Sequence, residues 1–212
     1  MKVVAFNGSP KKDGNTACAL KIIGEELVNN DIDFEIVQVG NKNIRGCIGC
    51  FLCMKNKDEK CALNDNDEVN DWIQKMKSAD GIILGSPVYF SGISGTMKCF
   101  LDRAMYVASA NDRMLRYKVG ASFVAVRRSG GVTTVNGLNQ YITYAEMIMP
   151  TSNYWNVIYG AAPGEAENDI EGKQIARILG KNMAWLIKVI DAGKKTIPIP
   201  EKEPKERMSF IR

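Results

Sequence analysis

Short apolar runs and longer apolar stripes alternate along this chain. The runs KVVAFN (2–7), DFEIVQV (33–39), GIILGSP (81–87), GASFVAV (120–126) and NYWNVI (153–158) read as strands. Several are apolar at successive positions, as strands covered on both faces are. Between them, residues 16–29, 68–77, 95–107, 132–149 and 171–190 place apolar side chains at helical spacing. Five strands alternating with five helices predict an α/β fold: a doubly wound, five-stranded parallel sheet with right-handed crossovers and helices on both faces. In such a sheet ligands bind beyond the carboxyl ends of the strands, near the point where strand order reverses.

Two segments stand outside the alternation. Residues 41–66 form an insertion containing CIGCFLCMKNKDEKC, and residues 196–212 form a tail in which Pro198, Pro200 and Pro204 exclude helix and sheet interior. The expected organisation is one domain over 1–195 followed by the tail. The tail is either loose or, through its apolar end at Phe210 and Ile211, docked on a second subunit.

Composition narrows the chemistry. The chain has 212 residues, 45% of them hydrophobic, which is enough for a full core. Its apolar runs are too short to span a bilayer and Met1 leads directly into the first strand, so a cytoplasmic address and no membrane partner are expected. In that compartment six cysteines, several of them clustered, indicate metal or redox chemistry rather than disulfides. A net charge of +4 with interspersed signs argues against nucleic acid. The absence of histidine removes Ser-His-Asp and Cys-His catalysis, histidine-bound zinc and histidine-bound haem.

Three loops at predicted strand ends carry unusual residues. NGSPKKDGNT (7–16) combines Gly8 and Gly14 with the polar Ser9, Asn15 and Thr16 at a helix amino-terminus, a setting suited to phosphate. Asn15 serves equally well as a helix cap in that pattern. The loop is neither a Walker A motif, since five residues separate Gly8 from Gly14 and no lysine follows, nor GxGxxG. GSPVYF (85–90) brings rigid backbone and two aromatic rings to the crevice, although Phe90 suits a core or subunit contact as well. RRSGG (127–131) adds cations and flexible backbone. Lys98 and Asp102, four residues apart on a helix, read as a structural salt bridge.

GSPKKDGNT, GSPVYF followed by KxxxDR, and RRSGG, in this order, resemble the NADPH-dependent FMN reductase family of flavodoxin-like proteins over nearly the whole chain. The resemblance implies that Ser9, Lys11, Asn15 and Thr16 hold the FMN phosphate. It also implies that Pro87, Val88, Tyr89 and Phe90 line the ribityl chain and ring, and that Arg127, Ser129, Gly130 and Gly131 approach the far edge of the ring. No side chain is then catalytic, because a flavin performs the redox chemistry itself. The implied activity passes electrons from NAD(P)H through FMN to a small-molecule acceptor: a flavin, quinone, azo or nitroaromatic compound. Arg127 and Arg128 would stabilise charge on the reduced ring, bind nicotinamide phosphates, or be plain surface cations. A homodimer or homotetramer is implied as well. Rival readings are an electron carrier that never meets NAD(P)H and a redox sensor acting through its thiols.

The cysteine stretch is similar to the branch containing iron-sulfur flavoproteins, with azoreductases nearby. Cys47, Cys50 and Cys53 at two-residue gaps, with Cys61 after seven more, make a four-thiolate set of the [4Fe-4S] type. Metallated, the loop would serve a redox protein partner; without iron, it would be a wall of a flavin-only reductase. Cys18 and Cys99, on amphipathic helices, read as core cysteines.

Overall fold

The computed structural model describes residues 1–63, 66–206 and 208–211. In chain order the elements are β1 (Lys2–Asn7), α1 (Asn15–Val28), β2 (Asp33–Gln38), α2 (Leu52–Asn56), α3 (Val69–Ser78), β3 (Gly81–Tyr89), β4 (Gly92–Ile93), α4 (Gly95–Ala110), β5 (Val119–Val126), α5 (Gly131–Tyr144), β6 (Val157–Tyr159) and α6 (Ile170–Gly193). The strand order is β2-β1-β3-β5-β6, all parallel, with β4 folded antiparallel onto the end of β3. Order reverses at β1, which has β2 on one side and β3 on the other.

The continuous apolar runs explain the layering. Val3, Val4, Ala5 and Phe6 of β1 are all fully buried, so both of its faces need cover. One face packs through Val3, Ala5, Ile83 and Phe123 against Leu20 and Ile23 of α1 and Leu179 and Met183 of α6. The other packs through Phe6, Leu84 and Val124 against α3, α4 and α5. There Phe100 lies 4.9 Å from the ring centre of Phe6 and 5.3 Å from that of Trp72, the latter edge to face. No described helix is long and apolar enough to cross a membrane.

The structure departs from the predicted elements in five places, one of them a single 3₁₀ turn over Glu165–Asn168 ahead of α6. The helix predicted over 132–149 ends at Tyr144, because residues beyond it are claimed by the sheet edge. Glu146 adopts φ +55°, its carbonyl accepts from Tyr117 N–H at 3.0 Å, and Ile148 bridges Val119 in parallel. The strand predicted over 153–158 shortens to Val157–Tyr159. Its first residues are held by side chains instead, with Asn156 Nδ2 donating to Ser122 O at 3.0 Å. The hairpin to β4 and the turn of helix α2 within the cysteine insertion lacked any periodic signal, being too short to show one.

The tail is tied down over its first half. Arg116 donates to the carbonyls of Pro200 at 3.1 Å and Glu201 at 3.4 Å, Lys202 pairs with Asp112, and Lys205 sits 4.9 Å over the Tyr144 ring. Phe210 and Ile211 beyond it are 91% and 89% exposed, so within this chain they cover nothing.

Gly40, just past β2, fits only as glycine, since a Cβ there would overlap the Gly8 and Ser9 backbone. Gly40→Ala is expected to lower stability by about 1–3 kcal/mol in urea unfolding. Gly193→Ala, at a helix position with open space around it, should be neutral or slightly stabilising.

Candidate functional site

The loop after β1 is built from its own polar atoms. Asn7 Oδ1 accepts from Ser9 N–H at 3.0 Å, Ser9 Oγ accepts from Lys11 N–H at 3.2 Å, and Gln38 Nε2 donates to Ser9 O at 2.6 Å. It is pinned to the neighbouring strand end, because Gly8 N–H donates to Gly85 O at 2.8 Å and Ser94 Oγ donates to Gly8 O at 2.7 Å. A Cβ on Gly8 would come within 2.8 Å of Met97 and 2.9 Å of the Gly85 carbonyl, so close approach requires glycine there.

Helix α1 then starts with Gly14 at its N-cap and no capping side chain. Its first-turn amides and positive dipole end therefore face the loop without an internal acceptor. Thr16 is buried at that end, with Ser9 buried beside the turn and Lys11 exposed on the rim.

Asn15 has a different local duty. Its Nδ2 donates to Ala162 O at 3.0 Å, and its Oδ1 accepts from the N–H groups of Gly164 at 3.1 Å and Ala166 at 3.2 Å. The side chain is thus spent fastening the loop after β6 to the start of α1, and it does not cap its own helix.

Pro87 and Val88 lie half-buried at the end of β3, and Tyr89 is exposed. Phe90 is fully exposed at φ +47° and Ser91 follows at φ +60°, so two left-handed residues make the tight turn into β4. Phe90 is therefore not a core residue. Gly130, at φ +88°, packs so closely that a Cβ would lie 2.9 Å from Ser91 Cα and 3.0 Å from Val88. Gly131 is buried, whereas Arg127, Arg128 and Ser129 are exposed, and no carboxylate among the described residues pairs with either arginine. The loops after β1, β3 and β5 thus meet at one edge of the sheet. Lys98 Nζ binds Asp102 at 2.6 Å, as its spacing predicts, and Tyr141 OH donates to the same carboxylate at 2.8 Å.

The cysteine insertion hangs on α4. Cys47, Cys50, Cys53 and Cys61 line one cavity of about 20 Å³ together with Leu63, Arg103 and Tyr106. Cys47 and Cys50 are exposed, and Cys53 and Cys61 are half-buried. Burial first, then the closeness of Cys61, push the Cys53 thiol up, against an opposing hydrogen bond from the Met54 backbone N–H and with smaller contributions from Cys47 and Cys50. Among the described residues no three Cys, Asp or Glu side chains converge as the ligands of a single metal ion. An iron-sulfur cluster asks for something else: one thiolate on each of four irons, from sulfurs spread around a larger body. A thiolate-only set lining one cavity has the donor chemistry for that. The cavity has room for about one water molecule, far less than a four-iron cluster fills, so a cluster requires the exposed Cys47–Cys50 side to stand further out.

Arg103, which sequence reading assigned no part in the site, organises this loop. It is 1% exposed, and its guanidinium donates to Cys61 Sγ at 3.3 Å, Arg45 O at 3.3 Å, Leu63 O at 2.7 Å and both carboxylate oxygens of Asp67. Asn70 clamps the Cys61 backbone from the other side, accepting from its N–H at 2.8 Å and donating to its carbonyl at 3.1 Å. The available signal was a cation on the inward stripe of α4, one helical turn from the buried Phe100 and Val107.

A parallel sheet in this order, with an uncapped helix amino-terminus at the reversal point, defines a flavodoxin-like α/β protein. The chain belongs to the NADPH-dependent FMN reductase family, whose model matches residues 1–162. An iron-sulfur flavoprotein of Methanocaldococcus jannaschii is 36% identical over 197 residues, covering 90% of this chain and 99% of that one. An NADPH azoreductase of a Bacillus species is 27% identical and covers 66% of this chain and 67% of its own. The structure of a flavodoxin from the domain Archaea shares the fold at a TM-score of 0.57 and 15% identity, covering 89% of this chain and 99% of that one. The chain is therefore a flavin oxidoreductase of the FMN-binding kind, within the iron-sulfur flavoprotein and azoreductase-like branch.

The thiols differ in reactivity for a local reason. Burial, then a 3.1 Å hydrogen bond to Glu167, hold the Cys18 thiol protonated, pushed up to about 12. In metal-free protein at pH 8, iodoacetamide should modify the exposed Cys47 and Cys50 first and leave Cys18 untouched, as peptide mass spectrometry would show.

Proposed function

We propose that this protein accepts electrons from NAD(P)H onto FMN and delivers them to a second acceptor: a flavin, quinone, azo or nitroaromatic compound. The observation that carries the reading is the convergence of the loops after β1, β3 and β5 beside an α1 amino-terminus with no capping side chain. When bound there, FMN supplies hydride and single-electron chemistry that side chains lack.

The amides of the first turn of α1, with Ser9, Thr16 and Lys11, would hold its phosphate through charge-assisted hydrogen bonds and the helix dipole. Asn15 contributes at one remove, by holding the 162–166 loop against that turn. Pro87, Val88 and Tyr89 would flank the ribityl chain and ring. Gly130 and Gly131 let the third loop approach closely, and Ser129 lies at that edge. The exposed Arg127 and Arg128, without a carboxylate partner among the described residues, offer positive charge where a reduced ring or a nicotinamide phosphate would carry negative charge. Phe90, fully exposed beside this rim, and the apolar tail end suit a subunit contact, so we place the working unit as a homodimer or homotetramer.

A second centre has its own observation: four cysteines lining a single cavity on α4. Cys47, Cys50, Cys53 and Cys61 would hold a [4Fe-4S] cluster, which supplies single-electron transfer to a redox protein partner.

Anaerobic mixing with NADH or NADPH should bleach the visible flavin band; a flavin that stays oxidised with both nucleotides overturns the reductase reading. Iron analysis of anaerobically purified protein should find about four irons per chain, and flavin without iron would eliminate the cluster. Thr16→Ala should weaken FMN binding by about ten- to a hundredfold in fluorescence titration, the worth of one hydrogen bond to a charged group.

A further inference from the structure

Arg103 holds Cys61 in a way no other cysteine of the loop is held. Around Cys47, Cys50 and Cys53 the sulfur contacts among the described residues come from backbone alone: Gly49 N–H reaches Cys47 at 3.4 Å and Met54 N–H acts on Cys53. Cys61, in contrast, has its backbone locked by Asn70 and its sulfur met by a guanidinium N–H at 3.3 Å.

The five N–H donors of an arginine form a fixed fork, and here each has a partner. Nε takes Cys61 Sγ, Nη1 takes Arg45 O and Asp67, and Nη2 takes Leu63 O and Asp67. With four donors fastened to backbone and carboxylate, the fifth is aimed at sulfur and cannot swing away. Both members of the ion pair are almost wholly removed from water, with side-chain exposures of 0% and 4%, so the N–H···S contact lies in a low-dielectric setting where hydrogen bonds act strongly.

We propose that Arg103 is a positioning and tuning residue for the cysteine loop: it fixes Cys61 as the anchored ligand and, by donating to its sulfur, raises the reduction potential of the cluster held there. This inference rests on the cluster reading above. Hydrogen bonds to cluster sulfur withdraw electron density and stabilise the reduced, more negative state. Asp67 offsets the guanidinium charge, which leaves the directed N–H as the specific contribution. The flavin loops and the cysteine loop lean on the same helix: Ser94, at the N-cap position of α4, donates to the Gly8 carbonyl, and Arg103 follows nine residues on in the middle of that helix. A change at Arg103 therefore alters how electrons divide between the two centres while leaving the flavin loops intact.

The experiment is an EPR-monitored redox titration of the anaerobically reconstituted holoprotein, wild type against Arg103→Gln, with the FMN potential read optically in the same samples. The expected result is a more negative cluster potential in the variant, equivalent to about a tenfold shift in electron sharing, or about 59 mV for one electron, with FMN unmoved. A cluster of full iron content and unchanged potential overturns the proposal. A second measurement needs no substitution: wild-type protein grown on arginine labelled with ¹⁵N in the guanidinium should show a ¹⁵N coupling in the spin-echo spectrum of the reduced cluster. If Arg103→Gln loses its iron, that coupling decides, and an intact wild-type cluster without it reduces Arg103 to a loop clamp. Wild-type protein that binds flavin but no iron removes the cluster reading and this inference with it.

Discussion

Burial of the central strands on both faces is the constraint from which the rest of the architecture follows. β1 and β5 have no face that could meet water, so helices must cross on either side, and right-handed crossovers return every strand parallel. Polar chemistry is then expelled to the strand ends. Among the polar side chains that do enter the interior, Asn7, Ser86, Ser94 and Ser122 each have a hydrogen-bond partner, and three of them support the loop ends of the crevice.

The second organising interaction is the buried Arg103–Asp67 pair. A guanidinium without its partner in that position would cost several kcal/mol, so the insertion must bring Asp67 and the carbonyls of Arg45 and Leu63 to it. One cation on α4 thereby sets the path of residues on both sides of the cysteines. The same loop leaves Cys47 and Cys50 at the surface, so it combines a fixed inner end with an accessible outer one. Neighbouring left-handed residues, Gly49, Phe51, Lys57 and Glu59, provide the sharp reversals that this short path requires.

Much of this was legible because period and position coincide in the chain. The strands over 2–7 and 81–87, the helices over 16–29 and 171–190 and the Lys98–Asp102 pair all follow from spacing of near neighbours, and near neighbours share a local geometry. The misplaced ends have a physical cause as well. Ala145 to Met149 have helical composition, yet Glu146 and Ile148 gain more from Arg113, Arg116 and the β5 edge than from another turn of helix. Asn15 looked like a cap or a phosphate ligand because its sequence neighbours are a glycine turn and a helix; its actual partners lie some hundred and fifty residues away.

By itself, the sequence determined the layer order, the three loops that end its strands, the thiolate-only character of the cysteine insertion and the absence of histidine chemistry, since each is a property of composition or of short-range pattern. Only the tertiary structure decided that Gly40 must be small to seat the first loop, that Gly130 closes against Ser91, and that Arg103 reaches Cys61 across the turn of the insertion. Those contacts join residues distant in the chain, and which of them form depends on how the helices pack on the sheet, information that no local window of residues contains.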